Sequence, residues 1–255
     1  MQTPDQEPVA PELRAAPSRS ALAAHLLGSV GFDACLTLQQ RLVYEAGGRL
    51  DGQIQLLICE HPPTITIGRQ GSRTDVRLGP RALVTEGLDV RWVNRGAGAL
   101  VHAPGQLAVY PIVPLVQHGW SVGEYLSRLQ SGLVAALAEL GFSGETYADR
   151  WGIWGRSGQI VSLAVAVKNS VTYYGAYVNV SPARRLLSAV YSDSRRRAVM
   201  SSLAIERQQN VKMTRVRESL VRHLAATFDG SRYHLHTGHV LLASSLKNVT
   251  TARAS

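Results

Sequence analysis

Apolar residues recur at helical spacing from Phe32 to Ala46 (Phe32, Cys35, Leu36, Leu38, Leu42, Val43), which predicts an amphipathic helix. Ile54–Cys59 is a short apolar run broken by His61-Pro62-Pro63, and Thr64–Ile67 resumes as a β-rich run ending at Gly68. Val90–Val93 reads as a strand, Arg95–Gly105 as a loop, and Leu107–Val113 as a strand stopped by Pro114. Helical periodicity returns over Val122–Leu140 and ends at Gly141. Gly152–Trp154, Gln159–Val167 and Val171–Val180 read as successive strands, and Leu186–Val190 as a short apolar piece. Tyr191–Arg197 is polar and basic, as a loop is. Val211–Phe228 predicts a helix with arginines on one face, and the pattern from Gly230 onward is ambiguous. Strands with interspersed helices and no βαβ rhythm predict an α+β fold with mixed sheets.

The length of 255 residues suits one large domain with short tails. Four prolines mark residues 1–18 as a leader, residues 19–229 form the expected domain, and residues 230–255 a tail. The chain is 45% hydrophobic, enough for a sizeable core, and only 18% charged, which excludes a disordered polyelectrolyte. No window approaches eighteen uninterrupted apolar residues, so no membrane-spanning helix is expected. The N-terminus lacks a secretory pattern and the only cysteines, Cys35 and Cys59, sit in apolar stretches, so a reduced, cytoplasmic protein is expected. Charge is divided unevenly. Residues 1–150 hold 12 basic and 14 acidic side chains, whereas residues 151–255 hold 15 and 4, a net of +11. Such a half suits an acidic partner or a solvated face. Lysine occurs only at positions 168, 212 and 247, so no neighbouring lysine replaces a missing one.

The candidate chemistry lies first in the loop from Arg95 to Gln106. Gly96, Ala97, Gly98, Ala99, Leu100 and Val101 are small or apolar, allow close backbone approach, and offer amide donors, while Arg95 and His102 add directional donors. The loop opens a strand and no helix, so it is not a dinucleotide fingerprint. His234, His236 and His239 have metal-compatible spacing but no acidic or cysteine ligand nearby, so neither metal nor cofactor is expected. Cys59 has no evident base in sequence and reads as a buried structural thiol. No aromatic stacking set accompanies the arginines, so nucleic acid is not expected as a partner.

Taken in order, these segments resemble the octanoyl-[acyl-carrier-protein]:protein octanoyltransferase family of the biotin/lipoate protein ligase-like fold. Glu60-His61-Pro62-Pro63 with Thr66-Ile67-Gly68-Arg69 is similar to the family's His-Pro-Pro…Leu-Gly-Arg segment. Arg95–Gln106, then Leu107 and Tyr110-Pro111-Ile112, resembles its Arg-Gly-Gly…Tyr-His-Gly-Pro-Gly-Gln-Leu…Tyr-Pro-Ile signature. Gly152-Ile153-Trp154 resembles its Gly-Val-Trp, and Tyr174-Gly175-Ala176-Tyr177-Val178-Asn179 its His-Gly-Phe-Ala-Leu-Asn. The resemblance implies a substrate site from Arg95–His102, Ser162, Leu163, Ala164, Gly175, Ala176 and Tyr177. It implies octanoyl-acyl-carrier protein as acyl donor, and a lipoyl domain or glycine-cleavage H protein as acceptor.

In that family a cysteine takes the acyl group and a lysine lowers the cysteine's pKa. The family's Lys-Ile-Ala-Ala-Ile-Gly strand aligns with Gln159-Ile160-Val161-Ser162-Leu163-Ala164, which puts Gln159 at the lysine. The nucleophile position falls on Ser192 counting from Asn179, or on Asp193 counting back from Ser202-Leu203. Ala97 and Ala103 stand for glycines and Val101 for the tyrosine. The resemblance therefore implies an octanoyltransferase-like protein without the standard chemistry. The alternatives are an acyltransferase with an altered nucleophile (Ser192 or Asp193) and a non-catalytic binder of carrier protein or lipoyl domains. Arg184, Arg185, Arg195, Arg196 and Arg197 flank that segment and are expected to form a basic rim for an acidic carrier.

Overall fold

The computed structural model describes residues 22–192, 198–229 and 232–242. In chain order the elements are β1 (Leu22–Ser29), α1 (Phe32–Gly48), β2 (Gln55–Glu60), β3 (Thr64–Ile67), α2 (Pro80–Thr85), β4 (Asp89–Trp92), β5 (Ala99–His102), β6 (Gln106–Ile112), α3 (Leu115–His118), α4 (Val122–Glu139), β7 (Glu145–Tyr147), β8 (Arg150–Gly155), β9 (Gly158–Lys168), β10 (Val171–Asn179), α5 (Arg184–Leu187), α6 (Leu203–Arg207), α7 (Met213–Asp229) and β11 (Tyr233–Thr237). The leader, Asp193 and Arg195–Arg197 lie outside the described residues.

Eight strands form one mixed sheet in the order β11-β1-β2-β6-β10-β9-β8-β7, and β4-β3-β5 form a second, smaller sheet. The expectation of mixed sheets with flanking helices holds. The expected absence of βαβ units does not. β1 and β2 are parallel with α1 between them, and β3 and β4 are parallel with α2 between them. Both units escape the sequence pattern because β1 is rich in leucine and alanine, which favour helix when considered alone, while α2 and β4 are short. β11, from the stretch expected as a tail, pairs in parallel with β1 at the sheet edge. No helix among the described residues is long and apolar enough to cross a membrane.

The large sheet is buried on both faces. One face carries α4 and α7 around Tyr125, Leu129, Leu133, Leu220 and Leu224, together with sheet residues Leu56, Ile58, Val161 and Leu163. The helix α4 starts where the sequence requires: Ser121 accepts from the Glu124 amide, and the Glu124 carboxylate accepts from the Ser121 amide. The opposite face packs α1 and the small sheet through Cys35, Leu38, Leu42, Ile65, Ile67, Leu100, Val101, Tyr110 and Tyr177.

A chain of buried polar groups crosses between the two sheets. The Arg95 guanidinium donates through Nη2 to the Thr66 hydroxyl (2.7 Å) and carbonyl (2.9 Å) on β3. Thr66 Oγ1 lies 2.8 Å from His102 Nε2 on β5, and His102 Nδ1 lies 3.2 Å from Gln106 Oε1 on β6. Gln106 Nε2 faces two oxygens, the Val101 carbonyl (2.9 Å) and Asn179 Oδ1 (2.8 Å). That pair fixes the amide orientation, so Gln106 Oε1 is the acceptor and His102 carries its proton on Nδ1. His102 Nε2 then accepts from Thr66. Burial, the nearby His61 and the Arg95 charge all push the His102 pKa well down, which agrees with a neutral ring.

Two expectations follow from this packing. Thr66→Val keeps the volume of the side chain but leaves His102 Nε2 without its donor. It is expected to lower stability by about 1–3 kcal/mol, measured by urea unfolding. At the sheet edge, His25 on β1 stacks on His236 (4.8 Å) and meets His239 (4.7 Å). Burial lowers the pKa of His25 and of His239, more than the partners of either restore. A lowered pKa makes the docked edge most stable above the ordinary histidine value of about 6.5, with loss as pH falls below it. Protection of the Tyr233–Thr237 amides, corrected for intrinsic exchange, is expected to drop between pH 7 and pH 5. His25→Gln should blunt that drop.

Candidate functional site

The expected substrate loop is not a loop throughout. Ala99–His102 form β5, which pairs antiparallel with β3 and is fully buried. The irregular parts are Arg95–Gly98 and Ala103–Gly105. Arg95 and His102, expected to offer donors to a ligand, are themselves buried. Arg95 Nη1 donates to the carbonyls of Gly96 (2.8 Å) and Gly98 (3.0 Å), while its buried Nε has no hydrogen-bond partner among the described residues. Its role is to hold the loop in shape, because it turns these carbonyls inward. Ala97 sits in the left-handed region at φ 60°. That conformation suits glycine, the residue the family pattern carries at this point.

The loop rests on β9. Pairing of β8 with β9 runs only to Gly152↔Ser162, and the Gly96 amide donates to the Val165 carbonyl (2.9 Å) beyond it. The register shift between Ile153 and Trp154 acts as a bulge in β9. It lets Ile160 and Val161 both join the helical core and returns Gln159 to the side of Ser162. A side chain at Gly152 would meet Gln159 Nε2 at 2.5 Å, so the glycine makes room for whatever side chain stands at position 159.

The strand pairs sort the remaining candidates by face. Tyr177 pairs with Ser162, Ala176 with Leu163 and Gly175 with Ala164. Ala164 and Tyr177 belong to the core shared with α1 and the small sheet, whereas Leu163 and Ala176 belong to the core under α4 and α7. The expectation that all line one pocket is therefore corrected for Leu163 and Ala176, whose side chains the sheet alternation turns away. The Ser162 hydroxyl is buried and has no hydrogen-bond partner among the described residues. It is a polar atom available to a ligand.

Ser192 reaches the same region from the other side. Its carbonyl lies 3.4 Å from the position a side chain on Gly98 would take. Its amide donates to the Ala198 carbonyl (3.1 Å), and its hydroxyl faces the same oxygen at 3.4 Å. The segment after it is drawn onto Gln159: the Gln159 amide donates to the Val199 carbonyl (3.0 Å) and the Ser201 amide to the Gln159 carbonyl (2.8 Å). Glu206 secures this arrangement by accepting from the Ser157 amide (2.9 Å), the Arg156 amide (2.9 Å) and the Ser201 hydroxyl (2.8 Å). Burial opposes the Glu206 charge, and these hydrogen bonds more than offset it, so its pKa lies below the usual value. Ser192 thus meets Gly98, and the Val199–Ser201 segment that follows pairs with Gln159 on β9, the strand that also carries Ser162, so three distant parts of the chain build this region.

Beside this region lies a cavity of about 200 Å³ lined in part by Arg77, Arg184, Ser157, Val199, Met200 and Ser201. Arg77 is a site residue that sequence reasoning missed. Its position next to the family's Gly-Arg segment was the only available signal. Of the expected basic rim, Arg184 borders the cavity and Arg185 pairs with Glu86 (2.8 Å). Thr66 and Asn179 were also missed, because their roles depend on partners in other strands. So was the pairing of Cys59 with His61, whose Nε2 lies 3.6 Å from the thiol. Alternation along a strand places residues i and i+2 on one face, so the Cys-x-His spacing was a legible signal.

The family model of the lipoyl protein ligase A/B catalytic domain matches residues 33–225. An octanoyltransferase of Chloroflexus aurantiacus is 35% identical over 212 residues, covering 81% of this chain and 94% of its own length. One from a Roseiflexus species is 34% identical over 213 residues, covering 82% and 88%. Among solved structures, lipoate-protein ligase A bound with ATP is similar at TM-score 0.68 and 16% identity, covering 89% of this chain and 93% of its own. A chain from the bi-partite lipoate protein ligase and E2 lipoyl domain system of Thermoplasma acidophilum is similar at TM-score 0.67 and 15% identity, covering 90% and 92%. These two likenesses agree on the fold, and the family match extends over most of the described chain: it belongs to the lipoyl protein ligase A/B catalytic-domain family, among its octanoyltransferases.

Proposed function

We propose that this chain is an octanoyltransferase homologue of the protein lipoylation pathway that retains the acyl-binding architecture and lacks the cysteine/lysine transfer chemistry. The observation that carries this is the environment of Gln159 and Ser192. Gln159 supplies neither a base nor a positive charge. The Ser192 hydroxyl faces a carbonyl oxygen, which cannot take its proton. A serine needs an adjacent general base to attack a thioester, and a cysteine needs a nearby cation to exist as thiolate. Both cysteines of the chain are buried on α1 and β2, outside the Ser192 segment. The altered-nucleophile reading gains no support from these contacts for Ser192, and Asp193 lies outside the described residues.

The binding part of the reading rests on the Gly96–Gly98 loop over β9, the unpartnered Ser162 hydroxyl and the adjoining cavity. An acyl chain suits a mostly apolar slot with few polar groups. Arg77 and Arg184 at the cavity suit the acidic surface of an acyl-carrier protein or lipoyl domain, and residues 151–255 carry a net of +11.

Incubation with octanoyl-carrier protein and a lipoyl domain, followed by intact mass of both proteins, tests the chemistry. No octanoyl adduct and no transfer at enzyme-like rates are expected. Turnover abolished by Ser192→Ala would overturn the reading. Gln159→Lys combined with Ser192→Cys or Asp193→Cys is expected to recover partial transfer, because Ala97, Val101 and Ala103 still depart from the family loop. Carrier binding, followed by calorimetry, is expected to weaken from low to moderate salt and to fall further in Arg77→Glu/Arg184→Glu. Absence of binding even at low salt would remove the docking part.

A further inference from the structure

We propose that Cys35, Cys59 and His61 form a binding site for one zinc-class ion, which fastens α1 to β2. Cys35 projects from the first turn of α1, Cys59 lies near the end of β2, and His61 follows it directly. The two sulfurs are 3.8 Å apart, Cys59 Sγ is 3.6 Å from His61 Nε2, and all three ligand atoms lie within 4.8 Å of one another. All three residues are buried. A tetrahedral zinc ion, with bonds of about 2.3 Å to sulfur and 2.0–2.1 Å to nitrogen, places two sulfurs about 3.8 Å apart and a sulfur and a nitrogen about 3.6 Å apart. These two spacings match that geometry, and the third, between Cys35 Sγ and His61 Nε2, lies within 4.8 Å and must close toward about 3.6 Å on binding.

The surroundings prepare the ligands. His61 Nδ1 lies 2.6 Å from the Val30 carbonyl, which can only accept, so the proton sits on Nδ1 and the lone pair on Nε2. Nε2 is the nitrogen turned toward the sulfurs. A histidine held through its other N–H by a carbonyl is the usual outer support of a metal ligand. Gln39 Nε2 donates toward Cys35 Sγ at 3.8 Å. Tyr110 Oη, 2.7 Å from His61 Nε2, donates to that lone pair without metal and is displaced from it when the ion binds.

Charge selects the ion. Binding releases one proton from each thiol, and two thiolates with one divalent ion and one neutral imidazole sum to zero. A neutral centre is what a buried site tolerates. Soft sulfur ligands also favour zinc over magnesium or calcium. The site stands apart from the Gln159–Ser192 region and requires no part of the acyl chemistry.

Cobalt(II) serves as the probe. The chain holds two cysteines, so any thiolate-to-cobalt charge-transfer band in the near ultraviolet reports on Cys35 and Cys59 alone. Titration of the reduced, full-length protein is expected to give this band with intense tetrahedral d–d absorption, saturating at one ion per chain and bleached by one equivalent of zinc. His61→Gln is expected to weaken binding by more than about tenfold. Cys35→Ser and Cys59→Ser should abolish the band, while His236→Gln and His239→Gln should leave it unchanged. Elemental analysis of protein expressed with zinc is expected to give one zinc per chain. A folded wild-type protein with no charge-transfer band overturns the proposal. So does zinc retained in both serine variants, or isolation of Cys35 and Cys59 as a disulfide that binds no ion after reduction.

Discussion

The structure depends on a buried, unbroken hydrogen-bond chain from Arg95 through Thr66, His102 and Gln106 to Asn179. Each link joins a different strand or loop, and the last two lie on the large sheet while the first three belong to the small one. In a low-dielectric interior each link of such a chain matters, because one broken link strands two buried polar groups. This chain is therefore a constraint on register. A one-residue slip of β5 would turn His102 away from Thr66 and send apolar Val101 into its place. The same guanidinium holds the carbonyls of Gly96 and Gly98, so the geometry of the loop over β9 is set by the tie between the sheets.

That arrangement explains how the family scaffold persists with glutamine at position 159 and serine at position 192. The bulge in β9, the gap at Gly152 and the pairing of Val199 and Ser201 with Gln159 are backbone features. None of them needs a lysine at position 159 or a cysteine at the Ser192 segment. Those side chains contribute reactivity and little packing, so glutamine and serine fit the same frame. Ala97, held in the left-handed region, is the exception, since there the departure from glycine has a backbone cost.

The α1 side of the sheet shows a second cluster with different physics. Cys35, Cys59 and His61 sit beside Tyr110, and ring contacts run from His61 to His102 and on to Tyr177. Polar and ionisable groups are thus concentrated between α1, the small sheet and the large sheet, while the face under α4 and α7 is almost wholly apolar. The apolar face supplies stability, and the mixed face supplies specificity of arrangement.

Sequence alone determined the long elements with their own periodicity or caps: α1, α4 with its Ser121–Glu124 box, β6, β9, β10 and α7. It also carried the ordered motifs that mark the family. It did not determine β1 and β11, whose strand state comes from pairing across the chain, or β5, whose small and apolar residues become a strand only against β3. The facing of Leu163 and Ala176, the burial of Arg95 and His102, and the meeting of Cys35 with Cys59 and His61 were likewise decided by the tertiary structure. The physical reason is common to all of them. Local pattern reports how a segment partitions its own side chains, whereas strand register, buried hydrogen bonds and ligand clusters are set by partners that lie tens of residues away.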